Sequence, residues 1–191
     1  MESVLSSPYI LLFARLTLGG IFLFGAVGKL LDPAGSRAAV TSRRWLPRPL
    51  AVLTARVLPW LEAAVGLALV LGLGLGLAAW AALALLIVFT GVVLGDLAQG
   101  GGLECHCFGR FSHEQVSRWT VARNLALMAL AALVAWQPTP YLALDAFVRD
   151  ASGLPSAINA VPVVFLALLA VVAVVLGSTL VATIRGFLRA F

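Results

Sequence analysis

Charged side chains are scarce in this sequence. Asp, Glu, Lys and Arg together make up 11% of its 191 residues, where a soluble domain carries about a quarter. That shortage excludes a soluble globular enzyme. The accompanying 62% apolar content and mean hydropathy of +1.06 exclude a disordered chain, which needs the opposite bias. Acidic residues are scarcer than basic ones, 8 against 13, and the pI is near 10.2. In a soluble protein this balance raises nucleic acid as a partner. Here no basic stretch stands clear of apolar sequence, so nucleic acid is set aside. Cysteine occurs twice, at Cys105 and Cys107. Two thiols cannot make a disulfide scaffold, but one residue apart they read as a reactive or metal-binding pair. The first residues, MESVLSSPY, have no basic n-region, and no small-residue cleavage site follows the first apolar run. That run is therefore expected to be a retained span. Repeats of 20–50 residues are missing, and the chain is too short for a transporter built from two six-helix halves.

What the sequence has is long apolar runs, which predict an all-α integral membrane protein. A span needs about 20 apolar residues. The first is expected over 10–31. A basic loop with Pro33, Pro47 and Pro49 follows over 32–56, with short helical pieces. Residues 58–97 are long enough for two spans, with the hairpin marked by Gly72, Gly74 and Gly76. A polar loop occupies 98–118, a fourth span 119–136, an extramembrane segment 137–159, and a fifth span 160–184. Domain organisation then reads as a four-helix membrane domain over 1–136. An extramembrane segment and an extra C-terminal transmembrane helix follow over 137–191.

Basic residues set the expected orientation. In a five-span arrangement 11 of the 13 fall on one side, only Arg15 and Arg149 lie toward the other, and the second loop carries no charge. The positive-inside rule then puts the N-terminus outside, with the C-terminus and the cysteine loop in the cytoplasm of an inner or plasma membrane.

The loop sequence Cys105-His106-Cys107-Phe108-Gly109 is the strongest chemical signal. Two thiols at i and i+2 can reach disulfide range, but in a tight ring. Strained disulfides are the exchangeable ones. Adjacent His106 and nearby Arg110 favour thiolate. Ser112 with Gln115 resembles a capping box opening the fourth span, whose positive dipole end would lie near the thiols. Gly100, Gly101 and Gly102 give the loop freedom to move. A second reading of the same loop is a metal site made from Cys105, His106, Cys107 and His113, better suited to copper(I) than to zinc. Adjacent ligands rarely close one tetrahedron.

Ionisable residues within spans are costly and so are functional candidates. Lys29, Glu62, Asp96 and Arg123 all fall in the cytoplasmic half, which predicts an interior salt-bridge cluster beneath the thiol loop. The cluster has a structural reading beside the functional one, since such pairs also fix helix register. Arg15 is expected to snorkel or pair structurally. Gly91 and Gly95 form a small-xxx-small face suited to close helix packing, and Gly19, Gly20 and Gly25 resemble it. The five tryptophans mostly fall at span ends, as interfacial anchors do.

Several segments together resemble a known family: RLTLGGIFLFGAVGKLLDP (15–33), RVLPWLEAAVGLALVLGL (56–73), FTGVVLGDLAQGG (89–101), CHCFG (105–109) and SRWTVARNLAL (117–127). Their order and spacing are similar to the methylamine-utilisation protein E (MauE) family, within the wider DoxX-like membrane proteins. The resemblance covers about residues 10–136. It implies a four-helix membrane bundle associated with thiol–disulfide redox work. In the family that work is tied to maturation of a disulfide-rich periplasmic dehydrogenase alongside a thioredoxin-like partner. By position it makes Cys105 and Cys107 the redox pair, and Lys29, Glu62 and Arg123 the intramembrane polar positions. Residues 137–191 are an addition to the family pattern.

Three functions follow. The leading one is a membrane thiol–disulfide oxidoreductase or reductant conduit, reduced by a thioredoxin-like protein and passing electrons to a quinone or an extracytoplasmic thiol partner. No second cysteine pair exists on the outer side. Either the loop enters the bundle, or the acceptor is a small molecule, or a partner subunit supplies the other thiols. The alternatives are a non-catalytic assembly subunit of a membrane complex, and a metal or small-molecule carrier using the Cys/His loop.

Overall fold

The computed structural model describes residues 7–43, 47–99, 118–137, 143–145 and 161–189, with side chains to residue 177 in the last segment. Six helices organise these residues: α1 (Pro8–Leu31), α2 (Pro33–Thr41), α3 (Arg48–Leu71), α4 (Leu75–Ala98), α5 (Arg118–Trp136) and α6 (Val161–Arg189). Among them α1, α3, α4 and α5 are long and apolar enough to cross a membrane. At 1.5 Å per residue the 24 residues of α1 span about 36 Å, more than the roughly 30 Å hydrocarbon core. The protein is an all-α, multi-pass membrane protein. α6 adds 29 residues, of which Val161–Gly177 form an apolar segment.

α1 is the central helix, packed by α3, α5 and α6. Its glycines make this possible. A Cβ at Gly19 would lie 3.0 Å from the Gly66 carbonyl oxygen of α3, and one at Gly66 would lie 3.0 Å from the Gly19 carbonyl oxygen. The two backbones therefore cross in near contact, as small residues permit between membrane helices. Gly20 receives the Val171 side chain of α6 in the same way. Gly91 of the expected glycine face on α4 does not do this. Gly91 is exposed and an added Cβ there would meet nothing.

The core joins Ala14, Leu18, Ile21 and Phe22 of α1 to Leu69 of α3, Ala79 and Ala82 of α4, and Leu127 and Ala131 of α5. The outer surface remains apolar: Leu77 is 81% exposed and Phe165 59%. That pattern suits lipid rather than water.

Two boundaries differ from expectation. α3 begins at Arg48, about ten residues before the expected span, because the prolines there start the helix instead of breaking it. Pro47 is its N-cap and Pro49 lies in its first turn, where a missing N–H costs nothing. Pro59 sits within α3 and is buried. The hairpin falls at Gly72 and Gly74, which adopt φ of 75° and 52°; Gly76 belongs to α4. A Cβ at Gly72 would lie 2.5 Å from the Ala143 Cα, and the Gly74 N–H donates to Asp145 Oδ2 at 2.6 Å. Residues 143–145 thus close over the hairpin end of the bundle. Trp80 and Trp136 meet edge-to-face near this end, with ring centroids 5.4 Å apart, as anchors at one membrane boundary do.

A buried charged layer at the loop end of the bundle

The antiparallel run of helices brings the end of α1, all of α2, the start of α3, the end of α4 and the start of α5 to one end of the molecule. Most of the buried polar side chains gather in that half: Lys29, Ser36, Arg43, Glu62, Thr90, Asp96, Thr120, Arg123 and Asn124. The segment from 100 to 117 that carries Cys105 and Cys107 joins α4 to α5, so its flanks Gln99 and Arg118 leave from this same end.

Lys29 Nζ donates to both Glu62 carboxylate oxygens at 2.7 Å. Both side chains are buried. Lys29 Nζ also stands 5.7 Å from the Phe89 ring centroid, within cation–π range. Such a pair offsets part of the cost of removing each charge from water, whereas deleting one partner leaves the other uncompensated.

Asp96, 1% exposed, accepts from Arg43 Nε at 3.0 Å. Arg43 also donates from Nη1 to the Ala39 carbonyl at 2.7 Å. Of the four ionisable residues expected in this half, Lys29 and Glu62 pair with each other, while Asp96 pairs outside that set. Asp96 is held by Arg43, a residue that the sequence reading assigned to the basic loop. Arg43 escaped notice because it sits in a run of cations that reads as a solvated face. The available signal was the helix 33–41 just before it, which folds the run back onto the bundle.

Arg123 and Asn124 of α5 line a cavity of about 40 Å³ together with Glu62, Gly25 and Phe89. That volume holds water, given polar partners. Arg123 therefore belongs to the same layer as Glu62. A larger cavity of about 140 Å³ lies between α2, α3 and α4 and includes Lys29, Ser36 and Arg43. Arg15 does not snorkel. It is 2% exposed and lies at the opposite end, beside Gly72 of the hairpin.

Cys105, His106, Cys107 and His113, with the Ser112 cap, lie outside the described residues. Among the described residues no group of three His, Cys, Asp or Glu comes together to hold a metal.

The profile described as Methylamine utilisation protein MauE matches residues 7–137. The chain belongs to the MauE family. It is 35% identical over 136 residues to the methylamine utilization protein MauE of Paracoccus denitrificans, covering 71% of this chain and 73% of that one. The MauE of Methylophilus methylotrophus is 30% identical over 140 residues, covering 72% and 74%. That of Methylorubrum extorquens is 31% identical over 135 residues, covering 70% and 73%. No solved structure matches. The MauE match spans α1 to α5, and therefore both ion pairs and the CxC loop, and ends before α6.

Proposed function

We propose that the protein is a membrane thiol–disulfide redox component in which Cys105 and Cys107 cycle between dithiol and disulfide. The observation that carries this is the position of the only two cysteines. They fall in the sequence segment joining α4 to α5, whose flanks Gln99 and Arg118 leave from the end of the bundle where Lys29–Glu62 and Arg43–Asp96 are buried. Oxidising the pair releases two electrons and two protons. A quinone in the bilayer takes up both and becomes quinol, or a partner disulfide takes them and becomes two thiols. A thioredoxin-like protein restores the dithiol by the reverse exchange. Supporting residues are His106, which favours thiolate, and the layer Lys29, Glu62, Asp96 and Arg123, which holds the loop's anchoring helices in register. The names of the MauE relatives refer to methylamine utilisation; the reading takes that as the physiological setting and gives the protein a role in maturation of an extracytoplasmic partner. In this reading 1–136 is the membrane domain, nearly all of it within the family match over 7–137, and 137–191 is an extramembrane segment followed by a fifth span.

The asymmetry of basic residues supports an outer N-terminus, with the cysteine loop and C-terminus cytoplasmic. Maleimide labelling distinguishes the sides. Cys105 and Cys107 are expected to react with a permeant reagent and not with an impermeant one applied to intact cells. Reaction with the impermeant reagent reverses the orientation.

The functional test is replacement of both cysteines by serine in the host. Loss of the redox-dependent phenotype with unchanged membrane abundance is expected. Full retention favours the assembly-subunit reading, which the exposed apolar face of α6 (Val164, Phe165, Leu168) supports. Stoichiometric copper in the purified protein favours the carrier reading.

A further inference from the structure

The walls of the 140 Å³ cavity between α2, α3 and α4 are uneven. Ala55 and Pro59 of α3 and Phe89 of α4 make an apolar side, while Lys29, Ser36 and Arg43 stand at the α1–α2 end. Thr54 and Val88, also in the lining, are exposed on the membrane-facing surface of the bundle, so entry is from the bilayer. Ser36 is 6% exposed and its hydroxyl has no hydrogen-bond partner among the described residues. A buried hydroxyl without a partner is unfavourable, and the cavity it lines is the place where a partner can sit.

We propose that this cavity binds the ring of a membrane-soluble quinone. The size is right for one ring: a cavity of about 150 Å³ holds a single benzene. The polar groups are right for a neutral acceptor. Lys29 and Arg43 already face Glu62 and Asp96, so the four charges cancel, and an anionic headgroup would have to displace a carboxylate. A ring carbonyl competes with neither pair and accepts from the Ser36 hydroxyl. The reduced ring carries hydroxyls and needs an acceptor. Proline at 59 has no N–H to offer the carbonyl of Ala55 four residues earlier, and both residues line the cavity. One site thus presents a donor for the quinone and an acceptor for the quinol. The apolar tail follows the open side into lipid. This assignment rests on the redox reading above, for which it names the acceptor site.

The test uses the full-length protein in nanodiscs of defined phospholipid, with a short-chain azidobenzoquinone as photoprobe and peptide mass spectrometry as readout. Adducts are expected in peptides covering 36–43 and 54–59, suppressed by decylbenzoquinone and not by dodecyl phosphate. Ser36→Ala, which removes one neutral hydrogen bond, is expected to weaken competition by decylbenzoquinone roughly three- to tenfold. Ala55→Trp, which fills the cavity, is expected to abolish specific labelling. Adducts confined to other helices, unchanged competition in both variants, or suppression by dodecyl phosphate alone overturn the assignment; the last would make it a phospholipid headgroup site. The Cys105→Ser, Cys107→Ser protein separates the two claims. Labelling should persist in it. Labelling without thiol cycling in the unmutated protein defeats only the redox reading, and cycling without labelling defeats only the quinone site.

Discussion

Lys29 and Glu62 lie 33 positions apart in the sequence and 2.7 Å apart in space. The pair decides much of the local energetics, because an uncompensated charge buried between the helices is costly. Lys29→Met alone, or Glu62→Met alone, is expected to cost about 3–5 kcal/mol, while the double variant returns to within about 1 kcal/mol of the original. Thermal unfolding in detergent checks this. A double variant as unstable as the singles would show that the pair is not what holds α1 to α3. If the double variant is stable but inactive, the charges act in function as well as in folding. Gly72 and Gly74 offer a second comparison. Both have left-handed φ, so alanine strains each by about 1–2 kcal/mol. Only Gly72 faces a backbone atom, the Ala143 Cα, while Gly74 faces open space. Gly72→Ala is therefore expected to cost roughly 1–3 kcal/mol more than Gly74→Ala. Equal losses in urea or thermal unfolding would mean that residues 143–145 do not seat on the hairpin.

Among the elements, the α1–α3 crossing is set by Gly19 and Gly66, and it predicts a contrast with the glycine of α4. Gly66→Ile forces the two backbones apart and should unfold or mispack the bundle, read as lost thermal stability and broadened size-exclusion behaviour. Gly91→Ile enters open space and should stay within about 0.5 kcal/mol of the original. A Gly91 variant as damaging as the Gly66 one would move the close crossing to α4. Sequence pattern alone selected the glycine face on α4, since spacing of small residues says nothing about which face meets a helix and which meets lipid. The helices themselves were legible. α1 and α5 match their apolar runs to within a residue or two, and the hairpin is written in Gly72 and Gly74. The start of α3 was not legible, because Pro47 and Pro49 carry the same signature in a loop as in a helix N-terminus. Among site residues, Lys29, Glu62, Asp96 and Arg123 stood out because charge inside an apolar run is rare. Arg43 and Ser36 did not. Ser36 belongs to a short polar helix and Arg43 follows just after its end, and only the three-dimensional fold turns that segment inward against α3 and α4.

At the scale of the whole molecule, most of the buried polar side chains among the described residues lie toward one end. The hairpin end holds buried Arg15 and Thr17 under a glycine turn. The opposite end holds the two ion pairs, the hydrated-size cavity at Arg123, the larger cavity at Ser36, and the attachment points of the cysteine loop. In the proposed reading the loop end is the working face, and α6 packs on α1 from outside the family-matched part without contributing to either ion pair. The central claim is that the working face runs on the Cys105–Cys107 pair. The most direct measurement is alkylation trapping of the full-length protein in native membranes, with the mass of the loop peptide reporting dithiol or disulfide. The expected result is a mixed population that moves toward disulfide when an oxidised quinone analogue is added and toward dithiol when a thioredoxin-like reductant is supplied. Two thiols, or one disulfide, that stay fixed under both treatments would contradict it.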